Sequence, residues 1–245
     1  YIFLGLVQGL TEFLPVSSSA HLVLLQNLLQ VRENQLLLDI VLHLGTLSAV
    51  ILFLFKELKY LLKLRIITFL FLATALTAVI VILGADYFEG LFNSTQTLIL
   101  PLVLTGLILI STKNFSKGKR MLANLRLLDA ICLGLAQGLS VIPGLSRSGL
   151  TISCLIRRNV EKETAVKFSL LASIPAIIGA VVFKFKDFSQ LGLGQWKYLG
   201  VGFLAAFFSG ILALQILLLV IRRAQFHLFG YYCIFLALIL FAFFR

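Results

Sequence analysis

The sequence predicts an all-α polytopic membrane protein, with six transmembrane helices plus two re-entrant helical hairpins in an inverted-topology repeat. Three observations predict this. Hydrophobic residues make up 60% of the chain and charged residues only 13%, with a mean hydropathy of +1.05, whereas a soluble globule carries roughly a quarter charged residues. Two long apolar stretches are each interrupted midway, by Pro15-Val16-Ser17-Ser18-Ser19 and by Pro143-Gly144-Leu145-Ser146-Arg147-Ser148. Finally, Leu4–Thr11 (LGLVQGLT) aligns without a gap with Leu133–Ser140 (LGLAQGLS), and the same register puts Ser17 on Ser146 and Ser19 on Ser148. Phe55-Lys56-Glu57 and Phe185-Lys186-Asp187 extend the echo at nearly the same spacing. The expectation is one integral membrane domain over 1–245, with repeat 1 at about 1–112 and repeat 2 at about 125–245.

The elements follow in order. Tyr1–Leu29 is broken at Pro15–Ser19, and each half, about 14 residues or roughly 21 Å as helix, is too short for a hydrocarbon core of about 30 Å. A re-entrant hairpin results. Leu36–Phe55 is long enough to cross, and Lys56, Lys59, Lys63 and Arg65 form a basic loop. Ile66–Gly84 crosses back to the acidic Asp86 and Glu89. Thr97–Ile110 with its flanks crosses again, its Pro101 placed early, where a missing N–H costs little, and leads to a loop with Lys113, Lys117, Lys119, Arg120 and Arg126. Leu127–Ile156 contains the second break and ends at Arg157, Arg158 and Lys162. A single crossing there would put two basic loops on opposite faces, against the positive-inside tendency, so this stretch enters and returns. Thr164–Phe183, Tyr198–Ile221 and Phe226–Phe244 complete the spans. The loops Lys56–Arg65, Lys113–Arg126 and Arg157–Lys162 are then cytoplasmic and Asp86–Asn93 lies outside.

The net charge of +11 sits in short loops between apolar spans, where it sets orientation rather than binding nucleic acid. Cys132, Cys154 and Cys233 lie inside apolar segments without metal-type spacing and read as small core residues. The chain opens at Tyr1 inside an apolar run, with no basic n-region or cleavage site, which predicts no signal peptide and a few further residues upstream.

Almost every charge falls at a loop or span end; the deep exceptions are Glu12 and Arg147, one in each broken segment. Intramembrane ionisable groups are expensive and functional by default, so the two are expected to meet at the repeat interface. A purely structural ion pair locking the hairpins is the bland alternative. Ser17, Ser18 and Ser19, and likewise Ser146, Arg147 and Ser148, begin the returning half-helices, where N–H groups and the positive dipole end bind anions. Arg147 adds a bidentate donor for phosphate, and helix capping by a serine is compatible with that role. Gln8 and Glu12, four apart, face one side of the entering half-helix. His21 lies over the face carrying Ser17 and Ser18, so Ser18, His21 and Glu12 offer a nucleophile, a proton shuttle and a group to orient the shuttle. His43 and His227 read as core histidines.

These residues resemble a known family. GLVQGLTEFLPVSSSAH resembles the [E/Q]xxxE and SS-x-x-H region of the undecaprenyl-pyrophosphate phosphatases (the BacA/UppP type), and PGLSRSGLT resembles their PGxSRSxxT motif. The order and spacing of motifs and spans agree over essentially the whole chain. The resemblance implies hydrolysis of undecaprenyl pyrophosphate to undecaprenyl phosphate, recycling the lipid carrier of cell-wall synthesis, in a multi-pass protein of the bacterial inner (plasma) membrane. By position it implies functional roles for Glu12, Ser18, His21, Ser146, Arg147, Ser148 and Thr151, with Gln8 at the first acidic position. It also implies a divalent cation, Mg²⁺ or Ca²⁺, near Glu12, although one deep carboxylate is a thin ligand set that substrate phosphates would have to complete. The implied partners are a polyprenyl diphosphate lipid and membrane lipids, with a homodimer left open. Access from the extracytoplasmic face is a further implication.

The mechanism this suggests has Ser18 attack the terminal phosphorus while Arg147 and the two helix ends hold the diphosphate; His21 as nucleophile is the alternative. The competing class is a transporter or flippase of an anionic or lipid-phosphate substrate, because broken helices in inverted repeats also build transporters. The Ser18, His21 and Glu12 set, which hydrolysis needs and transport does not, separates the two.

Overall fold

A computed structural model describes residues 1–30, 35–91, 94–115, 118–183 and 193–243. The expected echo at Phe185-Lys186-Asp187, together with Lys117 and Asn93, lies outside the described residues. All regular structure among the described residues is helical: α1 (Ile2–Phe13), α2 (Ser18–Leu28), α3 (Gln35–Phe53), α4 (Leu64–Leu83), α5 (Ala85–Leu91), α6 (Ile99–Ser111), α7 (Leu127–Leu139), α8 (Arg147–Arg157), α9 (Lys162–Phe183), α10 (Leu193–Arg222) and α11 (Leu228–Phe243). Four helices, Leu64–Leu83, Gln96–Asn114, Lys162–Val182 and Trp196–Arg222, are long and apolar enough to cross a membrane. The surface they offer is apolar, with Phe71, Ile82, Leu100, Phe208 and Leu212 all exposed. Such a surface is unsuited to water over so large an area, and the chain is a multi-pass membrane protein.

The breaks fall where the sequence places them. Pro15 cannot continue α1, and Ser17 turns the chain at φ 65° before capping α2, its Oγ accepting from the Ala20 N–H at 3.4 Å. In the second segment Gly144, at φ 95°, occupies a backbone region that glycine favours, and a Cβ there would lie 2.8 Å from the Leu98 carbonyl oxygen. Ser146 caps α8 by accepting from the Gly149 N–H at 3.1 Å.

Small residues hold the half-helices against long ones. Without a hydrophobic drive in lipid, helices associate by close packing, which favours glycine and small neighbours. On α1, Gly5 and Gly9 sit against Gly202, Ala205, Ala206 and Gly210 of α10; on α7, Gly134 and Gly138 sit against Ala73, Leu76 and Ile80 of α4. Each contact carries a matching hydrogen bond. Ser209 Oγ donates to the Gly5 carbonyl at 3.4 Å, and Thr77 Oγ1 donates to the Gly134 carbonyl at 3.1 Å. The glycines that make LGLxQGL recognisable are thus the packing surface of both half-helices.

The three basic loops meet on one face. Arg65 donates to the carbonyl of Leu125 at 2.5 Å, and Arg157 to the Ser111 hydroxyl. Asp129, fully buried, binds Arg120 at 2.5 Å and Arg158 at 2.6 Å. Its place at the start of α7 agrees with the expectation that charges other than Glu12 and Arg147 fall at loop or span ends. Asp129 lies in the first turn of α7, where it accepts from the Arg126 N–H at 2.7 Å, and the folded-over loops that supply its arginines bury it.

Candidate active site

The two broken segments face each other. Ser148 Oγ, at the start of α8, donates to the Leu14 carbonyl at 3.2 Å, and a Cβ on Gly149 would lie 3.4 Å from Pro15 Cβ. From α6, Thr105 supports the second break twice: its Oγ1 accepts from the Ser146 N–H at 3.1 Å and donates to the Gly144 carbonyl at 3.1 Å. Cys233 of α11 reaches the Pro15 carbonyl through its thiol at 3.4 Å. The start of α2 and the start of α8 are therefore locked beside one another, each a positive dipole end.

Glu12 is the centre of the arrangement. Its side chain is only 4% exposed, and Oε1 is paired with Arg147, whose own side chain is 19% exposed. Oε2 accepts from the Ser18 hydroxyl at 2.6 Å and from Gln8 Nε2 at 3.0 Å. Only an amide NH₂ can face a carboxylate favourably, which leaves Gln8 Oε1 buried and without a partner. Glu12, Arg147, Ser18 and Gln8 are thus brought together as the spacing implies. The short Ser18 contact is the kind a hydroxyl makes with an ionised oxygen.

The serines flanking this centre serve its frame. Ser17 is buried, and its Oγ lies 3.1 Å from Ser19 Oγ; Ser146 Oγ lies 3.2 Å from Ser148 Oγ. Thr151 is fully buried, donating to the Arg147 carbonyl at 2.7 Å and touching Ser169 of α9 at 2.6 Å. It fixes the backbone that carries Arg147, and Ser169 was not foreshadowed by any motif.

His21 departs from the expected arrangement. Its Nδ1 lies 2.8 Å from the Ser17 carbonyl and its Nε2 2.7 Å from the Tyr232 hydroxyl, and the two rings lie parallel at 5.9 Å. A carbonyl only accepts, so Nδ1 carries the hydrogen and Nε2 accepts from Tyr232. The expected Ser18 to His21 hydrogen bond is not formed, because both ring nitrogens are committed to the turn and to α11. The histidine that does approach the carboxylate is His43 of α3, with Nε2 3.5 Å from Glu12 Oε2. Residue spacing could not have paired them, since His43 belongs to a different helix.

The arrangement offers a hydroxyl already bonded to a carboxylate, a guanidinium with free donors and two helix N-termini, which suits attack on a phosphate. The chain is 43% identical over 239 residues to an undecaprenyl-diphosphatase of Carboxydothermus hydrogenoformans, covering 94% of this chain and 91% of that protein. It is 38% identical to the undecaprenyl-diphosphatase of Halothermothrix orenii, covering 95% and 92%, and 39% identical to that of Thermotoga maritima, covering 97% of both. Residues 1–239 match the family described as "Bacitracin resistance protein BacA", and with relatives this similar over nearly the whole length, the chain belongs to that family.

Proposed function

We propose that this protein is a membrane-embedded phosphatase that hydrolyses undecaprenyl diphosphate to undecaprenyl phosphate and inorganic phosphate, returning the lipid carrier to cell-wall synthesis. The observation that carries the reading is the bond from Ser18 to Glu12 Oε2, with Arg147 on the other oxygen of the same carboxylate. The relatives' names supply the substrate.

In the first step Ser18 Oγ attacks the terminal phosphorus, Glu12 Oε2 takes the hydroxyl proton, and the bond to the bridging oxygen breaks to release polyprenyl phosphate. Water then attacks the phosphoserine, the P–Oγ bond breaks, and Glu12 returns its proton to Ser18 as phosphate leaves. Arg147 uses one guanidinium nitrogen on Glu12 and keeps the remaining donors for phosphate oxygens. The N-terminal ends of α2 and α8, whose turns Ser17, Ser146 and Ser148 hold in place, stabilise the charge that builds on those oxygens. His21 holds the turn that presents Ser18 rather than carrying its proton.

A resident divalent cation does not fit these residues. Both oxygens of Glu12 are engaged, one by a cation, and Gln8 Oε1 is the unpartnered oxygen beside them. Mg²⁺ or Ca²⁺ takes six or more oxygen ligands, and the described residues hold no group of three or more His, Cys, Asp or Glu that could bind a metal. The Mg²⁺ or Ca²⁺ requirement is therefore proposed to be met by an ion bound to the diphosphate, and no step above passes through it.

The finer architecture belongs to the same proposal. Six spans (α3, α4, α6, α9, α10 and α11) and two re-entrant hairpins (α1 with α2, α7 with α8) form two inverted repeats in a bacterial inner membrane. Supporting this are the matched hydroxyl-to-glycine bonds of Ser209 with Gly5 and Thr77 with Gly134, and the gathering of the basic loops on one face. Purified protein in detergent, given a polyprenyl diphosphate, should release phosphate. No release, together with movement of the intact diphosphate across a vesicle membrane, would establish transport instead.

A further inference from the structure

We propose that His43 is a positioning residue of this site, holding the Glu12 oxygen that receives the Ser18 proton. The inference rests on the phosphatase reading above. His43 was expected to be a core histidine, yet its side chain is 34% exposed against 4% for Glu12, so it lies on the open side of the carboxylate. Its orientation is built rather than incidental. Nδ1 lies 2.6 Å from the Asp39 carbonyl, which can only accept, so Nδ1–H donates and Nε2 is the nitrogen turned to Glu12 at 3.5 Å. Asp39 is itself tied to α2 by Gln26 Nε2 donating to its Oδ1 at 2.6 Å. On the opposite face of α3, a Cβ at Gly45 would lie 2.5 Å from the Phe203 carbonyl oxygen of α10, which fixes how closely α3 lies against its neighbour. A ring held from behind, with its free edge on a carboxylate oxygen, sets that oxygen's direction.

The choice of oxygen gives the contact its meaning. Oε1 of Glu12 belongs to Arg147, whereas Oε2 takes Ser18, Gln8 and His43 together. His43 therefore keeps Oε2 aimed at Ser18 while Arg147 holds Oε1 and turns its remaining donors to the incoming diphosphate. This is action through Glu12, not contact with the phosphorus, and it places the effect on turnover rather than on binding.

The test compares wild type, His43→Leu, His43→Gln, Glu12→Gln and the Glu12→Gln/His43→Leu double variant, each purified and checked for its unfolding temperature. The assay is phosphate release from farnesyl diphosphate. His43→Leu should lose roughly 10- to 100-fold in kcat, as the loss of a polar contact to a charged group does, with KM nearly unchanged. His43→Gln, whose terminal NH₂ can reach the same carboxylate oxygen, should recover most of that loss. The double variant should be no slower than Glu12→Gln alone, because His43 acts through that carboxylate. Full activity in His43→Leu, or a loss in the double variant that multiplies the two single losses, would overturn the role. If His43→Leu fails to fold, the decision passes to His43→Gln: a folded glutamine variant as slow as Glu12→Gln overturns the role. A fully active Glu12→Gln would instead count against the phosphatase mechanism itself, which keeps the two failures apart.

Discussion

Ser18 and Glu12 lie on opposite sides of the first break, and the Ser18 hydroxyl donates to Glu12 Oε2 at 2.6 Å. The break exists to make this contact: a continuous helix would carry residues six apart to different faces, whereas the turn at Leu14–Ser17 folds the second half-helix back so that its first residue meets the first helix's carboxylate. Arg147 then closes the same carboxylate from the other repeat.

Arg147→Lys should lower phosphate release roughly 10- to 100-fold. Lysine keeps the charge and so can still neutralise Glu12, but it cannot hold Glu12 and a phosphate with one planar fork. Turnover near wild type in a folded lysine variant would reduce Arg147 to a structural partner of Glu12.

Tyr232→Phe should change kcat by less than about threefold, because the Nδ1 bond from His21 to the Ser17 carbonyl survives and one neutral, half-exposed hydrogen bond is worth little. His21→Ala removes both bonds and frees the turn, and should cost at least about tenfold. A tyrosine variant as impaired as the alanine variant would show that Nε2, rather than the turn, is what matters.

Packing at the LGLxQGL glycines is open to a direct test. A Cβ on Gly9 would sit 2.7 Å from the Gly210 nitrogen, and one on Gly138 would sit 2.5 Å from Ile80 Cδ1. Gly9→Leu and Gly138→Leu should each destabilise the fold by about 1–3 kcal/mol or more through overpacking, read as a lower unfolding temperature in detergent. Unchanged unfolding in both would deny the close approach of α1 to α10 and of α7 to α4.

Orientation follows from the basic face. With the native cysteines removed, an impermeant maleimide applied to whole cells should label Tyr87→Cys, which is exposed beyond α4, and should leave Lys119→Cys unlabelled until the cells are opened. Strong labelling at Lys119→Cys in intact cells contradicts the arrangement.

Much of this was legible in the sequence because membrane constraints are harsh. Only helices satisfy their own backbone in lipid, so Pro15 and Pro143-Gly144 inside apolar runs announce protected breaks, and the isolated charges Glu12 and Arg147 announce each other. Gln8 and Glu12 followed from helical spacing. What spacing could not supply was contact between helices distant in the chain. His43 and Tyr232 looked like ordinary residues of apolar spans, and the nearness of His21 to Ser18 in sequence suggested a pair that the turn does not form. Asp129 is legible as a first-turn acid of α7, but its pairing with Arg120 and Arg158 depends on how the loops fold over it.

In the proposed mechanism Ser18 attacks phosphorus with Glu12 as its proton acceptor. Single-turnover phosphate release from a polyprenyl diphosphate by wild type, Ser18→Ala, Glu12→Gln and the double variant tests it most directly. Ser18→Ala should fall by more than about 10³-fold, Glu12→Gln should be severely slowed, and the double variant should be little worse than Ser18→Ala, as expected for groups acting as one unit. A Ser18→Ala protein that releases phosphate at a rate close to wild type would contradict it.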